Sequence, residues 1–217
     1  KLKIYQELIE GQLGNDIEKF RTAVNNRSFS PSLFDQLPAL NMLNTRYIII
    51  NPNGAPVENP SRLGNAWLVN SIKTVSSADE EIAALSGLNP KTTAVMRSTY
   101  AEKAGKAGPG IGSIKLSSYD PEELVYEYNA DAENLAVFSE IWYPENWIAT
   151  IDGEETDILR ANYVLRALKI PAGQHTIILK YVDKASTLAN TIALICSILA
   201  LIAVPLAFFW DKKKATA

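Results

Sequence analysis

Apolar positions recur every three or four residues at the start of the chain: Leu2, Tyr5, Leu8, Ile9, Leu13, Ile17, Phe20 and Val24. That period places them on one face of a helix. Gly11 and Gly14 weaken its middle. Asn15 followed by Glu18 has the form of a capping box, which predicts a break and a second short helix from Asp16. Ser30-Pro31 predicts a third helix, a cap followed by proline at the first helical position, carrying Leu33, Phe34, Leu37, Leu40 and Leu43. The period then shortens. Arg46–Asn51 is a β-branched run ending in the turn cluster Asn51-Pro-Asn-Gly54, and Ala66–Val69 reads as its partner strand. Ser77–Leu85 returns to the helical period, with Ser77 as cap and Asp79, Glu80 and Glu81 in the first turn. Thr93–Met96 reads as a strand. Ala101–Gly112, rich in glycine, alanine and lysine, reads as a flexible connection.

From Ile111 the pattern is that of strands: Ser113–Ser118, Glu123–Asn129, Glu133–Ile141, Trp147–Ile151, Glu155–Leu159, Tyr163–Ile170 and His175–Val182. Turn signals every eight to twelve residues point to a sandwich. Asp152-Gly153 is a two-residue hairpin signal, because both positions tolerate positive φ. Pro171-Ala-Gly173 joins the last two strands. In Trp147-Ile-Ala-Thr-Ile151, Trp147, Ala149 and Ile151 share one face.

Ala185–Trp210 carries no charge over 26 residues, roughly 39 Å of helix against a bilayer core of about 30 Å. Trp210 and Asp211-Lys212-Lys213-Lys214 follow the pattern of a membrane interface, Pro205 predicts a kink, and Cys196 is inert filler. The predicted class is therefore α+β: a helical segment over 1–45, a small α+β region with a Gly-rich linker over 46–110, an antiparallel, jelly-roll-like β-sandwich over 111–184, a transmembrane helix over 185–210 and a tail over 211–217. The lysine balance places the tail in the cytoplasm and residues 1–184 outside it.

Composition narrows the chemistry. The net charge of −3 excludes a strongly basic nucleic-acid binder, and the 47% hydrophobic content excludes a wholly disordered chain. One cysteine and one histidine exclude an internal disulfide, a Cys-based zinc cluster and any two-histidine ligand set. No metal or cofactor is expected. The loop Gly105–Gly112 fails the phosphate-loop pattern, because no Lys-Ser or Lys-Thr pair follows its glycines, and a strand rather than a helix follows it. His175 opens a strand just after a turn and reads as structural. Asp79, Glu80 and Glu81, and Asp120, Glu122 and Glu123, read as solvated faces, although a hydrolase would need only two carboxylates. Trp142, Tyr143 and Trp147 surround Pro144-Glu145-Asn146, and such rings stack on sugar faces. Trp147 is expected in the core, and Trp142 and Tyr143 on a surface. Arg160 and Arg166 join them as candidates for pairing with phosphate or carboxylate on an envelope polymer.

An ordered set of motifs carries a resemblance. Leu40-Asn-Met-Leu-Asn-Thr-Arg-Tyr-Ile-Ile49, Gly64-Asn-Ala-Trp67, Val137-Phe-Ser-Glu-Ile-Trp-Tyr-Pro144, Arg160-Ala-Asn-Tyr-Val-Leu-Arg-Ala167 and Pro171-Ala-Gly-Gln-His175 resemble the C-terminal part of the YfhO-like bacterial membrane proteins. That family resembles C-type glycosyltransferases, which use a polyprenyl-phosphate-linked sugar donor and an acceptor outside the cytoplasm. The resemblance implies the last extracytoplasmic domain and last span of a longer protein of the bacterial cytoplasmic membrane, which accounts for a start at Lys1. The implied partners are the bilayer, the lipid-linked donor and an envelope glycan or polymer. The family's catalytic acidic residues lie in early loops, so no catalytic residue is assigned here. The implied role is to cover the active site or present the acceptor. The rival readings are a membrane-anchored, non-catalytic module that binds carbohydrate or protein, and an independent hydrolase.

Overall fold

The computed structural model describes residues 3–143 and 145–215, with side chains for 3–143, 145–183, 186 and 188–203. The chain forms two units, Lys1–Lys180 and Tyr181–Ala217.

The first unit opens with α1 (Lys3–Leu8), a π-helical turn (Ile9–Leu13) and α2 (Gly14–Asn25). The expected break is absent. Leu8, Leu13 and Gly14 all keep right-handed helical angles, and the π turn absorbs the glycines. Asn15 does not cap; its amide donates to the Gly11 carbonyl. The wider turn shifts the phase of the apolar face. Ile17 is consequently half exposed, while Asp16 turns inward and accepts from the amides of Ala39 and Leu40 at 2.8 and 3.1 Å. Burial pushes the Asp16 carboxyl up, against the pull of those two amides. They open α3 (Pro38–Met42), which follows a 3-10 turn at Pro31–Gln36.

β1 (Tyr47–Ile48) pairs with β2 (Val57–Glu58), not with the segment predicted for it. That segment, β3 (Ala66–Val69), joins the sandwich instead. β4 (Ser71–Val75), α4 (Ala78–Ala83), β5 (Thr93–Arg97) and α5 (Ser98–Ala104) follow, with β4 and β5 parallel. Ser77 caps α4 as expected, accepting from the Glu80 amide at 3.1 Å while Glu80 accepts from the Ser76 amide.

The remaining strands of this unit are β6 (Ser113–Asp120), β7 (Glu123–Ala130), β8 (Asn134–Ile141), β9 (Trp147–Ile151), β10 (Glu154–Thr156), β11 (Leu159–Ala161), β12 (Leu165–Ile170) and β13 (Gly173–Tyr181). They form two antiparallel sheets, ordered β10-β9-β13-β7-β6 and β11-β12-β8-β3. Asp152 (φ 52°) and Gly153 (φ 92°) make the predicted hairpin, with Ile151 facing Glu154. The predicted strand Glu155–Leu159 is instead divided, β10 serving one sheet and β11 the other.

Tyr126, Phe138, Leu168, Ile177 and Leu179 fill the space between the sheets. The other face of the four-stranded sheet packs Val69, Leu135, Val137 and Leu165 against Leu8, Met42, Leu85 and Met96 from the helices and β5. That sheet is covered on both sides, which is why β8, β11 and β12 read as near-continuous buried runs.

The glycine-rich segment is a docked strap. Leu135 donates to the Ala107 carbonyl, Gly110 donates to the Asn134 side chain at 2.8 Å, and the Asn134 amide donates to Ile111. Ala101, Ala104 and Ala107 are buried beneath it.

The second unit is α6 (Lys184–Ala215). No helix, among the described residues, is long and apolar enough to cross a membrane. This corrects the predicted transmembrane helix. The apolar stretch of α6 carries polar residues. Asn190, Thr191 and Ser197 interrupt it. The expectations for Pro205, Trp210 and the lysines after it concern side chains outside the described residues.

Candidate functional site

β8 ends at Ile141 and β9 begins at Trp147, so the link between them must reverse over a few residues. Its Trp142 amide donates to the Val164 carbonyl at 2.6 Å, which ties the link to the turn between β11 and β12. Asn146 adopts φ 65°, a left-handed value that asparagine tolerates. Trp142, Tyr143 and Trp147 thereby line one cavity of about 260 Å³, together with Glu155 and Asp157 from the neighbouring β10 segment. The Tyr143 hydroxyl donates to Glu145 at 3.1 Å, and Lys103 pairs with Asp157 at 2.6 Å. Pro144 lies outside the described residues.

The two arginines are placed differently from the three rings. Arg160 is 5% exposed and Arg166 3% exposed, so each works from behind the rings. The Arg160 guanidinium lies 5.6 Å from the ring centres of Tyr100, Trp142 and Tyr163. It donates to Glu81 at 2.5 Å. Glu81 is fully buried, also accepts from the Tyr163 amide at 3.1 Å, and sits 3.6 Å from Arg97. Burial raises the Glu81 carboxyl above its usual range, opposed by Arg160, the Tyr163 amide and Arg97. Arg166 lies 3.9 Å from the Trp147 ring centre and donates to the Ile141 carbonyl at 3.1 Å. Burial pulls its pKa down to about 10. Both arginines therefore brace aromatic rings by cation–π contact from the protein side. Trp147 joins the inter-sheet core as expected, yet one part of it still lines the cavity.

The turn between β11 and β12 holds this arrangement in place. Asn162 (φ 48°) and Tyr163 (φ 71°) are both left-handed, a strained choice for tyrosine. Asn162 exchanges hydrogen bonds with Val95: its amide donates to the Val95 carbonyl, and its side chain accepts from the Val95 amide. The Tyr163 hydroxyl donates to Glu7 of α1 at 2.5 Å, and burial pushes that hydroxyl up to about 12. Glu81, Tyr100 and Asn162 were not anticipated as parts of the site. For Glu81 a signal existed: it lies four residues before Leu85, on the buried face of its helix.

His175 is structural, as its position predicts. Its Nδ1 faces Asp152 at 2.6 Å and its Nε2 faces the Ala172 carbonyl at 3.1 Å. Both neighbours are acceptors, so the doubly protonated ring satisfies both. Hydrogen bonding to Asp152 raises the His175 pKa, and the same bond lowers that of Asp152. The histidine contribution to stability is full below its ordinary value of 6.5 and is lost as pH rises through the raised folded value. The aspartate contribution is present above 3.8 and is lost as pH falls through its lowered value. Thermal unfolding midpoints of the native chain should therefore decline on the alkaline side of 6.5 more than those of His175→Gln. Parallel alkaline limbs in the two proteins would refute this assignment.

Comparison with known proteins places these strands. Residues 110–193 match the family model described as "Bacterial membrane protein YfhO". The match runs through β6–β13 and carries the aromatic link, Arg160, Arg166 and His175, so the sequence resemblance stands for this segment. The motifs at Leu40–Ile49 and Gly64–Trp67 lie outside the matched range. No curated protein matches the chain.

Proposed function

We propose that this domain handles the acceptor in a bacterial membrane protein that transfers sugar from a polyprenyl-phosphate-linked donor to a cell-envelope polymer, on the extracytoplasmic face. The observation that carries this reading is the convergence of Trp142, Tyr143 and Trp147 on one cavity, beside hydrogen-bonding groups of Glu155 and Asp157. Aromatic faces match the apolar side of a pyranose, and carboxylates accept from its hydroxyls. Trp142, Tyr143 and Trp147 form the contact surface. Arg160 and Arg166 are positioning residues that hold Trp142 and Trp147. The matched family description supports the membrane setting.

Trp142→Ala and Tyr143→Ala in the full-length protein should each reduce glycosylation of the envelope polymer about tenfold, the scale of losing a central aromatic contact. Trp142 also packs on Arg160, so the Tyr143→Ala variant separates binding from folding. Unchanged glycosylation at a normal protein level would overturn the reading. Normal polymer binding with no transfer by the full-length protein would favour the non-catalytic binding module instead.

A further inference from the structure

A second cleft, of about 810 Å³, lies within the first unit at the junction of α2, α3, β3 and the segments 60–63 and 87–91. Two of the motifs with no part in the aromatic cavity meet there: Asn41 from Leu40–Ile49 and Trp67 from Gly64–Trp67 line it together. The same cleft gathers three cations, Lys19, Arg62 and Lys91, against one carboxylate, Asp35. The chain as a whole is acidic, so a cationic cluster of this kind runs against its overall charge.

The groups around the cleft differ in how far they are already committed. Arg62 donates to Glu58 at 3.2 Å and to the Asn59 carbonyl at 3.0 Å. Asp35 accepts from the Ser61 hydroxyl at 2.6 Å. Trp67 Nε1 donates to the Pro90 carbonyl at 2.7 Å, so its indole is fixed in orientation. Asn41 is held by Phe34 and Asn59. The walls are therefore rigid before any ligand arrives. Among the described residues, neither the Lys19 nor the Lys91 ammonium makes an ion pair within 4 Å, although the Lys19 charge is felt by the buried Asp16 carboxylate. Two ammonium groups outside any close ion pair, on a partly aromatic cleft, suit a ligand with one anionic group on a polyhydroxylated body.

We infer that this cleft binds an anionic sugar or polyol, its phosphate or carboxylate held between Lys19 and Lys91 and its body against Trp67. The site is separate from the aromatic cavity, and its test does not depend on that cavity's role. The full chain in non-ionic detergent micelles is titrated with glucose 6-phosphate, glucuronate and glucose, and the Trp67 indole N–H and the Asn89 and Lys91 amides are followed by NMR. Saturable shifts are expected with at least one anionic probe, weakening as salt rises. Glucose should bind at least about tenfold more weakly, the scale of one charge-assisted hydrogen bond. Whichever anion binds more tightly identifies the group as phosphate or carboxylate. The double variant Lys19→Gln/Lys91→Gln should lose about tenfold or more in affinity, with an unchanged melting temperature. Arg62 is kept in both proteins, so a folding defect is not built into the test. Equal binding of glucose, unchanged affinity in the double variant, or shifts confined to Trp142 and Trp147 would each overturn the assignment.

Discussion

Glu81→Gln should destabilise the first unit by about 3–5 kcal/mol, the cost of leaving a buried cation without its counter-charge. The substitution keeps the shape of the side chain and removes only its charge. Arg160 is 6% exposed at its side chain and 2.5 Å from Glu81, so it has no route to water without moving Trp142 and Tyr163. Arg97 would lose the same partner, but it is 36% exposed and can be solvated. The effect should show as a lower midpoint of urea unfolding. Glu102→Gln, on the exposed face of α5, should fall within about 0.5 kcal/mol of the native protein. A double variant, Glu81→Leu/Arg160→Met, should be more stable than Glu81→Leu alone, because removing both charges leaves no orphan. Native-like stability of Glu81→Gln would show that Arg160 finds another partner.

Gly108→Ala should cost about 3 kcal/mol or more, combining left-handed strain with overpacking. Gly108 adopts φ +88°, and an added Cβ would lie 2.1 Å from the Glu133 carbonyl oxygen and 3.0 Å from the Asn134 Cα. Both obstacles are backbone and cannot rotate away. The strap would have to leave β8, breaking the bonds that Ala107 and Gly110 make to Leu135 and Asn134. Gly153→Ala is the control. Its φ is +92°, but nothing lies within 4 Å of the new Cβ, so only the conformational penalty of roughly 1–2 kcal/mol remains. Equal losses at the two positions would mean that the strap is not held against β8.

These two sites also show where the sequence was legible and where it was not. Regularly spaced turn signals marked β7, β8, β9 and β13, alternation marked the faces of β9, and Asp152-Gly153 marked its hairpin, because those signals are local. Ser77 was legible as a cap for the same reason. Pairing partners were not, since nothing local distinguishes β2 from β3 as a neighbour of β1. The division of Glu155–Leu159 between two sheets depends on how the sandwich closes, which no short window contains. The strap was misread because glycine composition is the same for a solvated linker and a close backbone approach. The three-residue spacing of Ala101, Ala104 and Ala107 was the available signal of a buried face. The long uncharged run of 185–210, with the aromatic residue and lysines at its end, suggested a membrane span, but no helix among the described residues is long and apolar enough to cross a membrane.

The candidate site was legible in part. Trp142, Tyr143 and Trp147 were singled out by their density around a turn, and they share a cavity. Arg160 and Arg166 were read as parts of a binding surface, whereas both are buried. Their sheet is covered on both faces, and every residue of β11 and β12 except Lys169 is buried. Glu81 went unread because three consecutive acidic residues at a helix start resemble a solvated turn, and only the helical phase relative to Leu85 separates it from Asp79 and Glu80.

The central claim is that the aromatic cavity contacts a glycan, and the indole N–H signals of Trp142 and Trp147 test it directly. The full chain in non-ionic detergent micelles is titrated with oligosaccharides released from the envelope polymer. The account predicts saturable shifts at Trp142 and Trp147 that Tyr143→Ala weakens about tenfold, the scale of a lost central ring. Indole signals that stay fixed across the titration, in a protein whose melting temperature shows it to be folded, would contradict it.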